Sequence, residues 1–238
     1  MDPRLLPHAR RNAPRYTSYP SAPHFGADVD AGVYSNWLGE LAPDAALSLY
    51  VHVPYCRQIC WYCGCNTYAA HRDETITDFV SAVRREIDLV AERTRARSVQ
   101  EIHWGGGTPN ILGADQFLRI WRHLEFWFDI DPGAAHAIEI DPRRLSREQV
   151  AAFASAGVNR ASLGVQDFNA HVQRNIGREQ PAAVVEQAVA LLREAGIGQI
   201  STDLMYGLPG QSTADLLASL RTAASMSPQR IALFGYAH

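Results

Sequence analysis

The stretch Leu47-Ser48-Leu49-Tyr50-Val51-His52-Val53-Pro54-Tyr55-Cys56-Arg57-Gln58-Ile59-Cys60-Trp61-Tyr62-Cys63-Gly64-Cys65 joins an alternating, β-branched run to a cluster of thiols. Leu47 to Val53 reads as a strand, and Pro54 stops it. The cysteines therefore stand on a loop leaving the C-terminal end of that strand. All of the chain's cysteines lie here, spaced C-x3-C-x2-C-x-C, and none is set apart as a disulfide framework would require. A helix is expected next, with Ile76, Phe79, Val80, Val83, Ile87 and Val90 at spacings of three and four and with Thr75 or Thr77 as its cap.

The same strand, loop and helix unit recurs. Val99 to Trp104 precedes Gly105-Gly106-Gly107-Thr108-Pro109, and Ala114 to Trp127 carries Phe117, Leu118, Trp121 and Leu124 at helical spacing, with Phe128 following. Strands at Ala135 to Ile140, Ala161 to Val165, Ile200 to Met205 and Ile231 to Phe234 follow. Helices between them are expected to be capped at Ser146, to follow Pro181 and to start at Thr213. Such alternation predicts an α/β fold with a parallel sheet. Without a Rossmann fingerprint, a curved, partial (β/α)6 TIM-like barrel over 46–238 is favoured, behind an N-terminal arm over 1–45.

In such a barrel functional groups collect where strands end at their C-terminal side. The cysteine loop, the three glycines, Glu139, Gln166 and Asp203 all fall there. Taken singly, the glycines could form only a tight turn, the two acids solvated strand ends, and Gln166 a turn cap. Their common placement around one loop points to a shared site. Clustered thiols can hold closed zinc, form disulfides, or ligate an iron–sulfur cluster. No second thiol pair or His pair completes a zinc knuckle, and a reducing compartment opposes disulfides. Three thiolates on a four-iron cluster leave one iron open to a ligand. The one-residue gap makes Cys65 cramped as a fourth ligand.

Composition narrows the classes further. The 238 residues are 47% hydrophobic, with a formal net charge of −3. That excludes a disordered chain and gives no broad basic surface for nucleic acid. All 22 basic residues are Arg, which removes chemistry needing an ammonium, such as a pyridoxal Schiff base or the P-loop lysine. No apolar run is long enough to span a membrane, and the start is polar and Arg-bearing, so a soluble, cytoplasmic protein is expected.

The run through Cys56, Cys60 and Cys63 resembles the signature of the radical S-adenosylmethionine (SAM) superfamily. Further motifs sharpen the likeness: Pro14-Arg15-Tyr16-Thr17-Ser18-Tyr19-Pro20, Cys63-Gly64-Cys65-Asn66, His103-Trp104-Gly105-Gly106-Gly107-Thr108-Pro109, Gly164-Val165-Gln166-Asp167-Phe168, Asp203-Leu204-Met205-Tyr206-Gly207-Leu208-Pro209 and Tyr236-Ala237-His238. Together they resemble the oxygen-independent coproporphyrinogen III oxidase family. That resemblance implies a [4Fe-4S] cluster on Cys56, Cys60 and Cys63. It implies a first SAM held by Tyr50, Gly106 and Glu139, with bare glycine letting the backbone approach the methionyl group. A second would lie near Tyr62, Gly107, Thr108, Gln166, Arg178, Asp203 and Ala237. Cys65 and the arm from Arg15 to Tyr19 would face the substrate, with Cys65, Tyr50 and Glu139 as catalytic candidates. The implied reaction converts two propionates of coproporphyrinogen III to vinyl groups, giving protoporphyrinogen IX in haem biosynthesis. A 5′-deoxyadenosyl radical removes hydrogen, and a donor such as a flavodoxin or ferredoxin supplies the electron.

The family continues beyond the sixth strand, so the resemblance also implies a truncated or split member, with a partner chain able to supply the remaining part. An inactive fragment is one alternative. Another is a haem chaperone built on the same barrel, which typically lacks the Cys-Gly-Cys-Asn ending and the Arg-Tyr-Thr-Ser-Tyr-Pro arm. His8, His24, His71, His123, His136 and His171 have no spacing partner and read as surface or satisfied core groups. For His52 and His103, beside the two loops, packing and catalytic roles are both open.

Overall fold

The computed structural model describes residues 24–236 and divides the chain into two compact units, 1–40 and 41–238. The arm motif from Pro14 to Pro20, together with His8, Ala237 and His238, lies outside the described residues. In the first unit, α1 (Ala31–Glu40) starts where the Asp30 carboxylate accepts the Val33 N–H at 2.9 Å.

The second unit opens with β1 (Leu47–Val53), β2 (Tyr55–Cys56) and β3 (Tyr68–Ala69), then α2 (Asp73–Ala91) and β4 (Ser98–Gly106). It continues through α3 (Ala114–Trp127), β5 (Asp129–Ile140), α4 (Arg147–Ser155), β6 (Arg160–Gln166), α5 (Ala170–Asn175), α6 (Ala182–Glu194), β7 (Gln199–Tyr206), α7 (Thr213–Ser225) and β8 (Arg230–Gly235). Strands β1, β4, β5, β6, β7 and β8 form one parallel sheet in that order. The sheet is the expected partial barrel and is not closed.

Alternation along each strand sends one set of side chains under the helices. Val51, Val53, Ile102, Trp104, Ile138, Ile140, Leu163, Val165, Ile200 and Leu204 are buried there. Trp104 and Phe117 rings meet at 4.6 Å, and Phe117 meets Phe153 edge-on at 4.8 Å, contacts worth about 1 kcal/mol each beyond their buried area. The opposite, inner face is polar: Tyr50, His52, His103, Glu139, Ser162 and Asp203 point away from the core. A filled barrel packs bulky aliphatic residues on its inner face. This one leaves room for something else.

Several boundaries differ from the expectation. Helix α2 begins at Asp73 with no side-chain cap, and Thr77 lies inside it, its hydroxyl donating to the Asp73 carbonyl at 3.2 Å. Asp73 and Glu74 stabilise that first turn through the helix dipole instead. Strand β5 is longer than Ala135 to Ile140. Asp129 and Ile130 pair with Ser98 and Val99, and the register then jumps to Glu101 opposite Ala135, so Pro132 and Gly133 sit in a bulge. The caps at Ser146 and before Thr213 are reciprocal boxes: Ser146 with Gln149, and Ser212 with Asp215. Helix α5 and the two-residue pair β2–β3 have no counterpart in the expected elements.

Candidate functional site

Strands β2 and β3 clasp the base of the cysteine loop. Tyr68 N–H donates to the Pro54 carbonyl at 2.8 Å and Ala70 N–H to that of Cys56 at 2.9 Å. The glycine loop after β4 is stitched to the same base, with Gly107 N–H donating to Val53 O and Thr108 N–H to Tyr55 O. At the far side, Trp61 N–H donates to the Ile176 carbonyl just after α5. Arg57 pairs with Asp73 at the start of α2. An irregular loop is thus fixed at base, flank and tip by backbone hydrogen bonds.

The glycines answer this packing. A Cβ at Gly105 would stand 2.9 Å from the Tyr50 ring and hydroxyl, and one at Gly106 would stand 2.7 Å from the His52 imidazole. Gly107 is closed in by Thr67 and the Tyr55 carbonyl. Gly106 also has φ of +112°, which a side chain would strain. The chain's own close approach therefore already requires glycine here, where the sequence suggested approach to a ligand.

Cys56, Cys60, Cys63 and Cys65 are free thiols, and all four line one cavity of about 230 Å³. Tyr62, Gly106, Gly107, Thr108, Glu139, Gln166, Arg178 and Asp203 line it too. Of the remaining site candidates, Tyr50 stands beside the cavity on the inner face, and Ala237 is outside the described residues. Cys56 Sγ lies 3.0 Å from Thr108 Oγ1, and Arg178 Nη1 lies 3.5 Å from Cys60 Sγ. The Cys65 thiol hydrogen-bonds the Cys63 sulfur, which with the Arg178 charge outweighs burial and lowers Cys63 to about 6. The same bond, with burial, holds Cys65 protonated. Among the described residues no three His, Cys, Asp or Glu side chains gather tightly enough for a single metal ion. A four-iron cluster is wider than one ion, and its soft sulfur donor set is the one present here.

The polar walls carry fixed partners. Glu139 accepts from Gly106 N–H at 3.2 Å, and its other oxygen meets His103 Nε2 at 3.1 Å. The Tyr50 ring stacks on His103 at 5.6 Å while its hydroxyl meets His52 Nδ1 at 3.1 Å. Burial and the nearby Glu139 raise the Tyr50 pKa, so this network holds a protonated phenol. Both Asp203 carboxylate oxygens share the Ser162 hydroxyl proton, at 2.9 and 2.8 Å, yet burial still raises the Asp203 pKa. Asp141 shows the opposite balance: burial pushes its pKa up, but hydrogen bonds from Arg143 and the Arg178 charge carry it below the usual carboxylate range.

Arg178 is buried, donates to the Gly164 carbonyl at 2.6 Å and faces Asp141 at 3.3 Å. Its Nε has no partner, so the guanidinium keeps donor capacity for a further carboxylate. Gln166 ends β6 with φ of +71°, the left-handed region, at a register break between Gly164 and Gln166. Such strain in a non-glycine residue at a cavity wall re-aims its side chain.

Sequence reasoning left His52 and His103 open and did not select Asp141, Arg143 or Ser162. For His52, His103 and Ser162 the signal was parity: His52 shares a face with Tyr50, His103 with Gly105, and Ser162 with Gly164. His136 is a satisfied core group, bonded to Trp104 and Ala156, while His123 and His171 pair with Asp88 and Asp215. Among the described residues no helix is long and apolar enough to cross a membrane.

A profile of the radical SAM superfamily matches residues 50–223. The chain is 48% identical over 236 residues to the oxygen-independent coproporphyrinogen III oxidase of Bradyrhizobium diazoefficiens, covering 97% of this chain and 52% of that protein. It is 36% identical over 234 residues to the protein of the same name from Escherichia coli, covering 98% and 51%. The solved structure of the Escherichia coli coproporphyrinogen III oxidase HemN, described as a radical SAM enzyme, superposes with a TM-score of 0.88 over 94% of this chain and 51% of that one, at 36% identity. A structure of anSMEcpe with bound AdoMet is alike in fold alone, with a TM-score of 0.57 at 12% identity, over 81% of this chain and 52% of that one. The chain spans about half the length of the curated relatives it matches.

Proposed function

Because this chain belongs to the radical SAM superfamily, we propose that it takes part in the oxygen-independent oxidation of coproporphyrinogen III, converting two propionates to vinyl groups in cytoplasmic haem biosynthesis. The observation that carries this reading is the convergence of four free thiols, Glu139, Gln166, Arg178 and Asp203 on one cavity at the C-terminal ends of parallel strands. The names of the relatives, each about twice as long, support the choice of substrate. Cys56, Cys60 and Cys63 hold the [4Fe-4S] cluster in this reading. When bound, the cluster and SAM supply one-electron chemistry that removes a hydrogen atom from an unactivated carbon.

The chain's own residues bind and orient. Glu139, already aimed by Gly106 and His103, accepts from the amino group of the first SAM, with Tyr50 beside it. Arg178 has an unused donor for the carboxylate of a second SAM, and Asp203 suits ribose hydroxyls, with Tyr62, Gly107, Thr108, Gln166 and Ala237 completing that set. Cys65 keeps its proton on Sγ at the exposed rim and faces the substrate. An external one-electron donor, such as a flavodoxin or ferredoxin, is needed.

The test is electron paramagnetic resonance on anaerobically reconstituted, dithionite-reduced protein, with and without SAM, followed by chromatography of products from coproporphyrinogen III. A [4Fe-4S]⁺ signal that changes on adding SAM, together with monovinyl and divinyl products, is expected. A cluster signal indifferent to SAM would refute the site.

A further inference from the structure

Resting on that reading, we propose that Arg160 and Arg230 form a carboxylate-binding wall on the inner face of the sheet, which holds propionates of the tetracarboxylate substrate that are not reacting. Arg160 on β6 pairs with Ala137 on β5 and Gln199 on β7, and Arg230 on β8 pairs with Ser201. Neighbours in register share a face. Arg160 alternates with buried Ala161 and Leu163, so it lies on the inner face with Ser162 and Gly164. Ser201 lies between buried Ile200 and Thr202, which puts Arg230 on that same face.

Both arginines line a second cavity of about 350 Å³, with Glu101, His103, Ser162 and Ser201 among its walls. Ser162 also lines the thiol cavity, so the two cavities adjoin along one sheet face. The carboxylates on this face are engaged: Glu101 accepts from Ser48 at 3.2 Å, Glu139 meets His103 and Gly106, and Asp203 accepts from Ser162. Neither Arg160 nor Arg230 makes a hydrogen bond or ion pair among the described residues. Among those residues Arg160 has no acidic partner and Arg230 feels Asp203 only through its charge, so both guanidiniums keep their hydrogen-bond donors for an anion on this wall.

The spacing suits a broad polyanion. Arg160 lies four residues along β6 from Gly164 at the thiol cavity, about 13 Å at strand rise, and β6 and β8 are about 10 Å apart across β7. One ring of a tetrapyrrole can face the thiol cavity while carboxylates on other rings reach the two arginines. Between them Ala137, Ser162 and Gly164 are small residues, flanked in register by Glu139 and Asp203.

Binding of coproporphyrin III, and of its uncharged tetramethyl ester, to the full chain is measured by fluorescence titration for the parent protein and for Arg160→Gln, Arg230→Gln and the double variant. Each single variant is expected to weaken binding of the tetracarboxylate about five- to tenfold, and the double variant more. Ester affinity and iron content after reconstitution should not change, and Arg160→Lys and Arg230→Lys should retain most of the affinity. Variants that bind the tetracarboxylate within twofold of the parent would overturn this inference alone. A parent protein that binds no tetracarboxylate would overturn the proposed substrate, and this wall with it.

Discussion

His136 ties stability to pH in a way that can be worked from its surroundings. Its ring is 2% exposed, stacked on Trp121 at 4.8 Å. Trp104 Nε1 donates to Nε2 at 2.8 Å, so Nδ1 carries the proton and donates to the Ala156 carbonyl at 3.1 Å. A second proton would have to sit on Nε2, facing the indole N–H. Burial, opposed in part by the Ala156 carbonyl, lowers the pKa from 6.5 to about 4. A depressed histidine pKa means that the unfolded chain binds the extra proton between about pH 4 and 6.5. The stabilisation is complete above that window and is lost as pH falls through it. The full difference corresponds to about 3 kcal/mol, of which about 2 kcal/mol disappears between pH 7 and pH 5. Urea unfolding followed by tryptophan fluorescence at both pH values measures this. His136→Gln can still accept from Trp104 and donate to Ala156 but does not titrate, so its stability should change about 2 kcal/mol less over the same interval. Equal pH slopes for the two proteins would refute the reasoning.

Cys60→Ala is expected to lose its iron after anaerobic reconstitution, and an intact [4Fe-4S] signal in that variant would contradict the ligand assignment. Cys65→Ala should keep its iron and lose turnover, whereas loss of iron would make Cys65 a ligand. Arg178→Met removes one of two cations at buried Asp141 and should cost about 3 kcal/mol in urea unfolding at pH 7. A change below about 1 kcal/mol would mean that Arg143 alone neutralises Asp141.

What could be read in advance was whatever is written locally. The six strands, most clearly the alternating burial of β6 and β7, the Ser146 cap and the thiol loop after β1 each depend on a few adjacent residues. The β2–β3 clasp is invisible by the same logic, because two residues per strand carry no period. Its pairing is decided by Thr67, whose hydroxyl donates to the Pro54 carbonyl at 3.2 Å, and by where the glycine loop lies. The bulge in β5 was hidden for a different reason. Pro132 and Gly133 read as an end, yet Asp129 N–H finds the Arg97 carbonyl at 2.9 Å and pairing begins before them.

The inner face depended on a quantity that no single strand contains. Alternation shows that Tyr50 and His52 share a face, but not which face the helices cover. It is the burial of Val51, Trp104, Ile138, Leu163 and Ile200 under the helices that turns Tyr50, His103, Glu139, Ser162 and Asp203 inward together. Register then sets who meets whom. Tyr50 lies opposite His103, His103 opposite Ala137, and Ala137 opposite Arg160. A slip of one residue at the break between Val99 and Glu101 would turn the inner residues of β4 under the helices and bring Trp104 into the cavity. Glu139 would then lose His103, and Tyr50 its stacking partner. The chemistry of the site therefore rests on the same pairing that buries Trp104, and the core and the inner wall are two readings of one register.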